Sequence, residues 1–416
     1  MNRRHAIQGL AAAAWLPPAG AATNVAPLPD PSLSTRDPER YWDRIRKDQF
    51  LLPKWRVFLN NGSLGVAPKP VVQAVTEYLE KSAALLMEEY DYPRWGYEKL
   101  DEHRTELAAY LGCSKNQLAI THNATEAISV IAAGLDLKAG DEVLMTDQEH
   151  GSGKAGWHVR RARHGITVRE LQIPLPPRDP AQLADLLIAA ISPRTRVLFF
   201  SAITTTTGLV FPVRQICDAA RAKGVITVVD GAHLNGQVEA RIDDLGCDYY
   251  AGSPHKWMFA PAGCGILWGR EEMLDRLWPS IVTGGWDDKA DQGARFMRLG
   301  TNNRAMIEGM IAGVRFAKAI GVERIYSRIH ALARMAREKA QALPYLQLLT
   351  PGNDTMYGGL VAFHMQGVDL NRLMPLCQKR RIWILRNQRL RLSTHIHTRP
   401  SDIDLFFETL ELARRA

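Results

Sequence analysis

Three short, unbroken apolar runs set the strongest limit on what this chain can fold into: Glu142-Val143-Leu144-Met145-Thr146, Val197-Leu198-Phe199-Phe200-Ser201 and Val225-Ile226-Thr227-Val228-Val229-Asp230. A strand with one face in water alternates apolar and polar residues. Continuous apolar runs bounded by Gly, Asp or Ser belong to strands covered on both faces, and hence to a parallel sheet. Helical stretches from Pro180 to Ile191 and from Val213 to Lys223 lie between them and complete the β-α-β alternation of a doubly wound α/β fold. Beyond Gly300 the pattern changes to a long helical segment, Asn303 to Leu343, then strands over 360–364 and 382–385, and a final helix from Ser401. The spacing predicts a large domain over residues 58–299 and a smaller C-terminal α+β domain over 300–416, after a Pro-rich N-terminal extension over 23–57. A chain of 416 residues, 46% of them hydrophobic, can supply a core to each.

The first 22 residues read as an export address. Asn2-Arg3-Arg4-His5 is a basic start, Ala6 to Leu16 is an alanine-rich apolar stretch, and Pro17-Pro18-Ala19-Gly20-Ala21-Ala22 offers small residues to a signal peptidase. The stretch is too short to be a permanent membrane span. The Arg3-Arg4 pair before a weakly hydrophobic core predicts export by the twin-arginine machinery, removal of the signal and a periplasmic protein. That route carries proteins already folded, typically around a cofactor. The net charge of +8 is interspersed with acids, which argues against a nucleic-acid partner. Five widely spaced cysteines (Cys113, Cys217, Cys247, Cys264 and Cys377) contain no Cys-x-x-Cys and show no metal or disulfide framework.

Ligands of open α/β sheets sit outside the carboxyl ends of the strands, and there the polar residues gather. Asp230 ends the Val225–Val229 run, and a carboxylate at the tip of a buried strand asks for a cationic partner. Lys256 follows in Ser253-Pro254-His255-Lys256-Trp257, flanked by aromatic and Gly/Pro-rich residues that would desolvate it, lower its pKa and make the amine a nucleophile. Thr121-His122-Asn123-Ala124-Thr125 opens a helix whose free N–H groups suit a phosphate, and His150 lies just beyond the Glu142–Thr146 strand. Each alone has an ordinary structural explanation: a helix cap, a surface lysine, a packed histidine. Together they are the set that pyridoxal 5′-phosphate needs.

The resemblance becomes specific in Val229-Asp230-Gly231-Ala232-His233, Gly236-Gln237, Tyr250 to Trp257 and Ala260-Pro261-Ala262-Gly263. With Phe58-Leu59-Asn60-Asn61-Gly62-Ser63-Leu64-Gly65, these segments resemble the class V aminotransferases of fold type I, most closely the isopenicillin N epimerase-like branch, from about Phe58 to Thr398. The resemblance implies a seven-stranded, mostly parallel large domain and pyridoxal 5′-phosphate as cofactor. It makes Lys256 the Schiff-base lysine and proton shuttle. It pairs Asp230 with the pyridinium nitrogen, stacks His150 on the ring and brings His233 to the ring hydroxyl. Ala124, Thr125, Ser253 and His255 would hold the phosphate, joined by Thr301 from the neighbouring subunit of a homodimer. Arg391 would grip the substrate α-carboxylate, and Asn61 and Gly62 would line the substrate side.

Departures from the pattern narrow the chemistry. Ala202 and Thr205 stand where relatives commonly place His and Asn, and His397-Thr398 stand where Tyr-Asn is usual. Cysteine desulfurases need a nucleophilic Cys before the carboxylate-binding Arg, but Arg386-Asn387-Gln388-Arg389-Leu390 contains none and Cys377 is too far upstream. Gly151-Ser152-Gly153-Lys154-Ala155 lacks the hydroxyl and the earlier Gly of a phosphate loop. His395 and His397 alternate as metal ligands on one strand face could, with no third ligand evident, and Arg160-Arg161-Ala162-Arg163 reads as a solvated helix face. The expectation is an enzyme acting at the α-carbon of an amino acid or peptide-linked amine, an aminotransferase first and an epimerase as the alternative. A non-catalytic binding protein on the same fold would be expected to lack Lys256 or Asp230.

Overall fold

A computed structural model describes residues 25–84, 97–385 and 389–415; the export signal read over residues 1–22 lies outside them. The strands in chain order are β1 (Val57–Phe58), β2 (Leu118–Thr121), β3 (Glu142–Thr146), β4 (Thr167–Leu171), β5 (Thr195–Ser201), β6 (Ile226–Asp230), β7 (Tyr249–Gly252), β8 (Gly265–Gly269), β9 (Leu346–Leu348), β10 (Leu360–Met365), β11 (Ile382–Trp383) and β12 (Arg389–Ser393). Seven of them form one sheet in the order β2-β8-β7-β6-β5-β3-β4. The pairs from β7 through β6, β5 and β3 to β4 are parallel, and β8 runs antiparallel to both neighbours. β2 therefore points the same way as β7, and the carboxyl ends of β2, β3, β5, β6 and β7 all reach one edge.

The three apolar runs are β3, β5 and β6, and their near-complete burial shows a sheet covered on both faces, as read from the sequence. At the outer edge β4 breaks that rule: Thr167-Val168-Arg169-Glu170-Leu171 is only partly buried, so its sequence carries no continuous apolar run. The single long helix expected over 303–343 is two helices, Ala305–Ile320 and Val322–Gln341. Gly321 separates them at φ 99°, a backbone conformation that L side chains rarely adopt. The Pro-rich extension contains a helix, Pro38–Gln49, with Pro38 at its start and the Asp37 side chain accepting from the Arg40 N–H. It buries Tyr41, Trp42 and Ile45 in the main core.

A smaller sheet, β12-β10-β9, is antiparallel and carries a second apolar cluster built on Val361, Phe363, Leu390, Phe406 and Leu410. Val57 and Leu59 belong to that second cluster: β1 pairs in parallel with β11, and Asn60 bridges to Ser393. His395 and His397 do not alternate on a strand, because β12 ends at Ser393; their rings stack 5.6 Å apart in the loop that follows. Among the described residues no helix is long and apolar enough to cross a membrane.

The start of β3 is tied to both neighbours through one buried carboxylate. Glu142 accepts two bonds of 2.9 Å from Arg169 on β4 and further bonds from Thr195 and Ser192. The Arg169 bonds foremost, against the cost of burial, hold its carboxyl down to about 2. A carboxyl lowered on folding stabilises the native state above its unfolded pKa and loses that contribution as pH falls through the folded one. Glu142→Gln should therefore lower unfolding free energy by about 1–3 kcal/mol at pH 7, with the deficit shrinking toward pH 3 in urea titrations.

Candidate active site

The edge where the carboxyl ends meet opens into a cavity of 490 Å³. Its lining includes Gly62, Ala124, Thr125, His150, Asp230, His233, Ser253, His255, Lys256 and Arg391, so the fold gathers residues from across 330 positions of chain at one place. Asn61 and Thr301 stand outside it. The buried Asn61 side chain donates to the Lys256 carbonyl (2.8 Å) and meets His397 Nε2 at 3.3 Å. Thr301 is exposed, between residues that line a different cavity.

Lys256 projects from a short helix, Pro254–Trp257, that directly follows β7. Its backbone is clamped on two sides. Gly65 donates to the His255 carbonyl (2.9 Å), and a Cβ there would stand 2.3 Å from the Lys256 oxygen. Gly236, at φ 87°, comes so near that a Cβ would meet the Trp257 oxygen at 2.5 Å. The amine Nζ lies 3.0 Å from His233 Nε2. Burial lowers the Lys256 pKa to about 8, opposed by Asp230 and assisted by Arg391.

His233 fixes the protonation pattern. The Trp257 indole N–H donates to His233 Nδ1 at 3.1 Å, so in the neutral ring the proton sits on Nε2. Burial first, then Lys256, holds His233 far below its usual pKa. Nε2–H thus faces Nζ as a donor, and Nζ must offer a lone pair, which a neutral amine has and an ammonium lacks.

Asp230 sits at the tip of β6, buried, and accepts from the Ala232 N–H at 2.9 Å. Burial raises its pKa, with Ala232, Lys256 and His150 opposing. Beside it, Glu149 was not singled out from sequence. It accepts from Thr146 and Ser201, both at 2.5 Å, and burial pushes it up to about 7, with Asp230 adding to the rise. His150 caps the helix Gly151–His164, its Nδ1 accepting from the Ser152 N–H (3.3 Å). Its pKa is lowered by burial and then by Lys256. The helix Ala124–Gly134 starts at the cavity; Asn123 caps the Glu126 N–H, and Ser253 Oγ accepts from the Ala124 N–H at 3.1 Å. His255 Nδ1 is committed to the Cys264 carbonyl (3.0 Å).

Arg391 on β12 is 2% exposed, and its neighbours are neutral oxygens: Thr205 O at 2.8 Å, Asn60 Oδ1 at 2.9 Å and Ser63 Oγ at 2.8 Å. Burial pushes it down to about 10, and its buried Nε has no partner. A desolvated guanidinium surrounded by neutral groups is an anion site waiting for its charge. Asn60 and Ser63, which orient it, were given no role from sequence, where they stood only within the Phe58–Gly65 motif that carried the resemblance.

The sequence matches the class-V aminotransferase family over residues 57–386. The chain belongs to that family. It is 32% identical to the isopenicillin N epimerase of Streptomyces clavuligerus over 395 residues, 89% of this chain and 98% of the relative. It is 33% identical to that of Amycolatopsis lactamdurans, over 85% of this chain and 94% of the relative. Among solved structures, a C-DES variant with glycine covalently linked to its PLP cofactor superposes with a TM-score of 0.77 at 25% identity, covering 86% of this chain and 96% of the other. The cysteine desulfurase CsdA of Escherichia coli shares the fold with a TM-score of 0.78 at 23% identity, covering 90% and 98%. The chain is thus a fold type I member of a pyridoxal-phosphate-dependent enzyme family, with pyridoxal 5′-phosphate as its cofactor.

The cavity suits that group. A helix N-terminus and the Ser253 hydroxyl meet at one end, where backbone N–H groups favour an anion. Asp230 is a buried carboxylate with room in front of it: the missing Cβ of Gly153 would stand 3.5 Å from its Oδ2.

Trp257→Phe removes the only donor to His233 Nδ1 among the described residues while keeping the ring. In protein labelled with ¹⁵N-histidine, His233 should show an unprotonated Nδ1 in the wild type and a mixture of tautomers in Trp257→Phe, with His233→Gln identifying the resonance.

Proposed function

We propose that this chain labilises the Cα–H bond of an α-amino acid or amine and transfers its amino group. The observation that carries the reading is the pairing in one cavity of a lysine whose pKa burial lowers and whose amine faces a tautomer-fixed histidine with a buried guanidinium that lacks a counter-ion. Pyridoxal phosphate supplies the electron sink for the pair left behind when a bond at Cα breaks. Lys256 would hold it covalently. Ala124, Thr125, Ser253 and His255 would hold the phosphate, Asp230 would keep the ring nitrogen protonated, His150 would lie against the ring, and His233 would serve the ring hydroxyl. Thr301, exposed in the single chain, would serve the site of a second copy in a homodimer.

Arg391 then receives the substrate α-carboxylate as a bidentate fork, which turns the amino group toward Lys256. Burial brings the Nζ amine down to about 8, so that a fraction of it is free of its extra proton near neutral pH; it would accept the α-proton from Cα and return it to C4′ of the cofactor. Asp230, desolvated, keeps a negative charge only where a cation meets it, which is what a protonated ring nitrogen provides. Carbon–sulfur cleavage by a cysteine nucleophile finds no support: no cysteine lines the cavity among the described residues, and burial pushes the Cys377 thiol up to about 11.

A second reading, epimerisation, is favoured by the two isopenicillin N epimerase relatives that the chain matches almost end to end. It needs a base on each face of Cα, and His150 lines the same cavity as Lys256. The periplasmic location we propose rests on Arg3-Arg4 and the Ala6–Leu16 stretch, and cell fractionation checks it.

Two measurements test the chemistry. Purified protein should carry a visible absorbance band that Lys256→Ala abolishes, and incubation with amino acids in deuterated water should give keto acid. Deuterium at Cα with racemisation and no keto acid would replace transfer by epimerisation; absence of both from cofactor-loaded protein overturns the proposal. The lowered Lys256 pKa makes a separate prediction. The rate at which apoprotein takes up pyridoxal phosphate should rise from pH 6 and level off above about 8, rather than climb to the ordinary lysine range.

A further inference from the structure

Two residues before Arg391, on the same strand, stands Arg389, and both line the cavity. Residues i and i+2 of a strand project to one face with Cα atoms roughly 7 Å apart. Arg391 is buried and held by four neutral oxygens, whereas the Arg389 side chain is half-buried and makes no hydrogen bond or ion pair among the described residues. Asp230 is the only carboxylate among the described lining residues, and it lies at the tip of β6 beside Lys256 and His150.

The chain around Arg389 offers no counter-ion. From residue 370 to 401 it contains no aspartate or glutamate. Across the small sheet, Arg389 faces His364 on β10, whose pKa is lowered by burial and then by Arg389 itself, so that ring is no partner either. Other arginines of comparable exposure have found carboxylates: Arg169 holds Glu142, Arg298 holds Asp288 and Arg399 holds Asp402. An unpaired guanidinium at a cavity whose depth already holds an unpaired guanidinium is the arrangement that recognises two anionic groups on one ligand.

Resting on the reading of Arg391 as the α-carboxylate site, we propose that Arg389 selects α-amino acids carrying a second carboxylate, with the span of glutamate. Arg391 takes the α-carboxylate, the amino group points to Lys256, and the side-chain carboxylate reaches Arg389 toward the mouth of the cavity. Isosteres with a neutral amide in that place leave the guanidinium unpaired and lose the charge-assisted bonds.

The test compares glutamate with glutamine, and aspartate with asparagine, on cofactor-loaded wild type, Arg389→Leu and Arg389→Lys. Wild type should favour glutamate over glutamine at least tenfold in kcat/KM. Arg389→Leu should raise KM for glutamate about tenfold with kcat little changed and bring the glutamate-to-glutamine ratio toward one, and Arg389→Lys should recover part of it. Calorimetry with glutarate and valerate, which cannot react, gives a reading free of turnover: wild type should bind glutarate more tightly, and Arg389→Leu should lose the difference. Equal turnover of glutamate and glutamine by wild type, or an equal loss for both in Arg389→Leu, overturns the proposal. If no amino acid is turned over and no carboxylate binds, the reading of Arg391 itself falls, a result distinct from lost selectivity.

Discussion

The site depends on keeping one amine out of water without giving it a carboxylate of its own. Lys256 could have been neutralised cheaply by a direct ion pair, but a paired ammonium is no nucleophile. Here the Nζ meets an imidazole N–H, and that imidazole is fixed by an indole that comes from the residue next to the lysine. Holding such a group steady requires a rigid backbone beneath it. Gly65 and Gly236 press against the lysine turn at distances that leave no room for a Cβ, and Asn61 ties the Lys256 carbonyl from a third direction. The glycines in these motifs are there for closeness to another main chain, more than for flexibility.

The same logic of incomplete neutralisation runs through the rest of the cavity. Asp230 and Glu149 are both raised by burial, and Arg391 is lowered by it. None of these three makes an ion pair among the described residues, although Lys256 and His150 ease the burial of Asp230, so each is costly to the apoprotein. A cationic ring nitrogen on the cofactor would relieve the cost at Asp230 and a carboxylate on the substrate the cost at Arg391, so ligand binding should be coupled to the stability of the fold.

Much of this was legible in the sequence because burial on both faces leaves a plain signature: β3, β5 and β6 read directly as apolar runs, and the polar residues at their ends as a site. β4 was not, because an edge strand has a solvent side and Arg169 and Glu170 interrupt its pattern. The helix break at Gly321 was hidden in a continuous helical periodicity, and Pro38–Gln49 was masked by the prolines before it. Within the site, His233 and Arg391 were assigned by resemblance, whereas Lys256, Asp230 and His150 stood out by residue type and position. Asn60, Ser63 and Glu149 did not, since their work is to orient or neighbour groups far away in sequence, and a hydroxyl or amide that does so looks like any turn residue. Asn61 was assigned to the substrate side by resemblance; the structure gives its side chain to Lys256 and His397.

The β1 segment has a consequence for how the protein is made. Leu59 accepts from the Ser393 N–H, Gly62 donates to the Ser393 hydroxyl, and Asn60 and Ser63 hold Arg391, all more than 320 positions further along the chain. The residues that complete the cavity are thus synthesised far apart in time. A nascent chain can build the central sheet while translation continues, but it cannot close the site until β12 has emerged. Substrate recognition at Arg391 therefore waits for β12, whereas the residues of this chain that would hold the cofactor, from Ala124 to Lys256, come earlier.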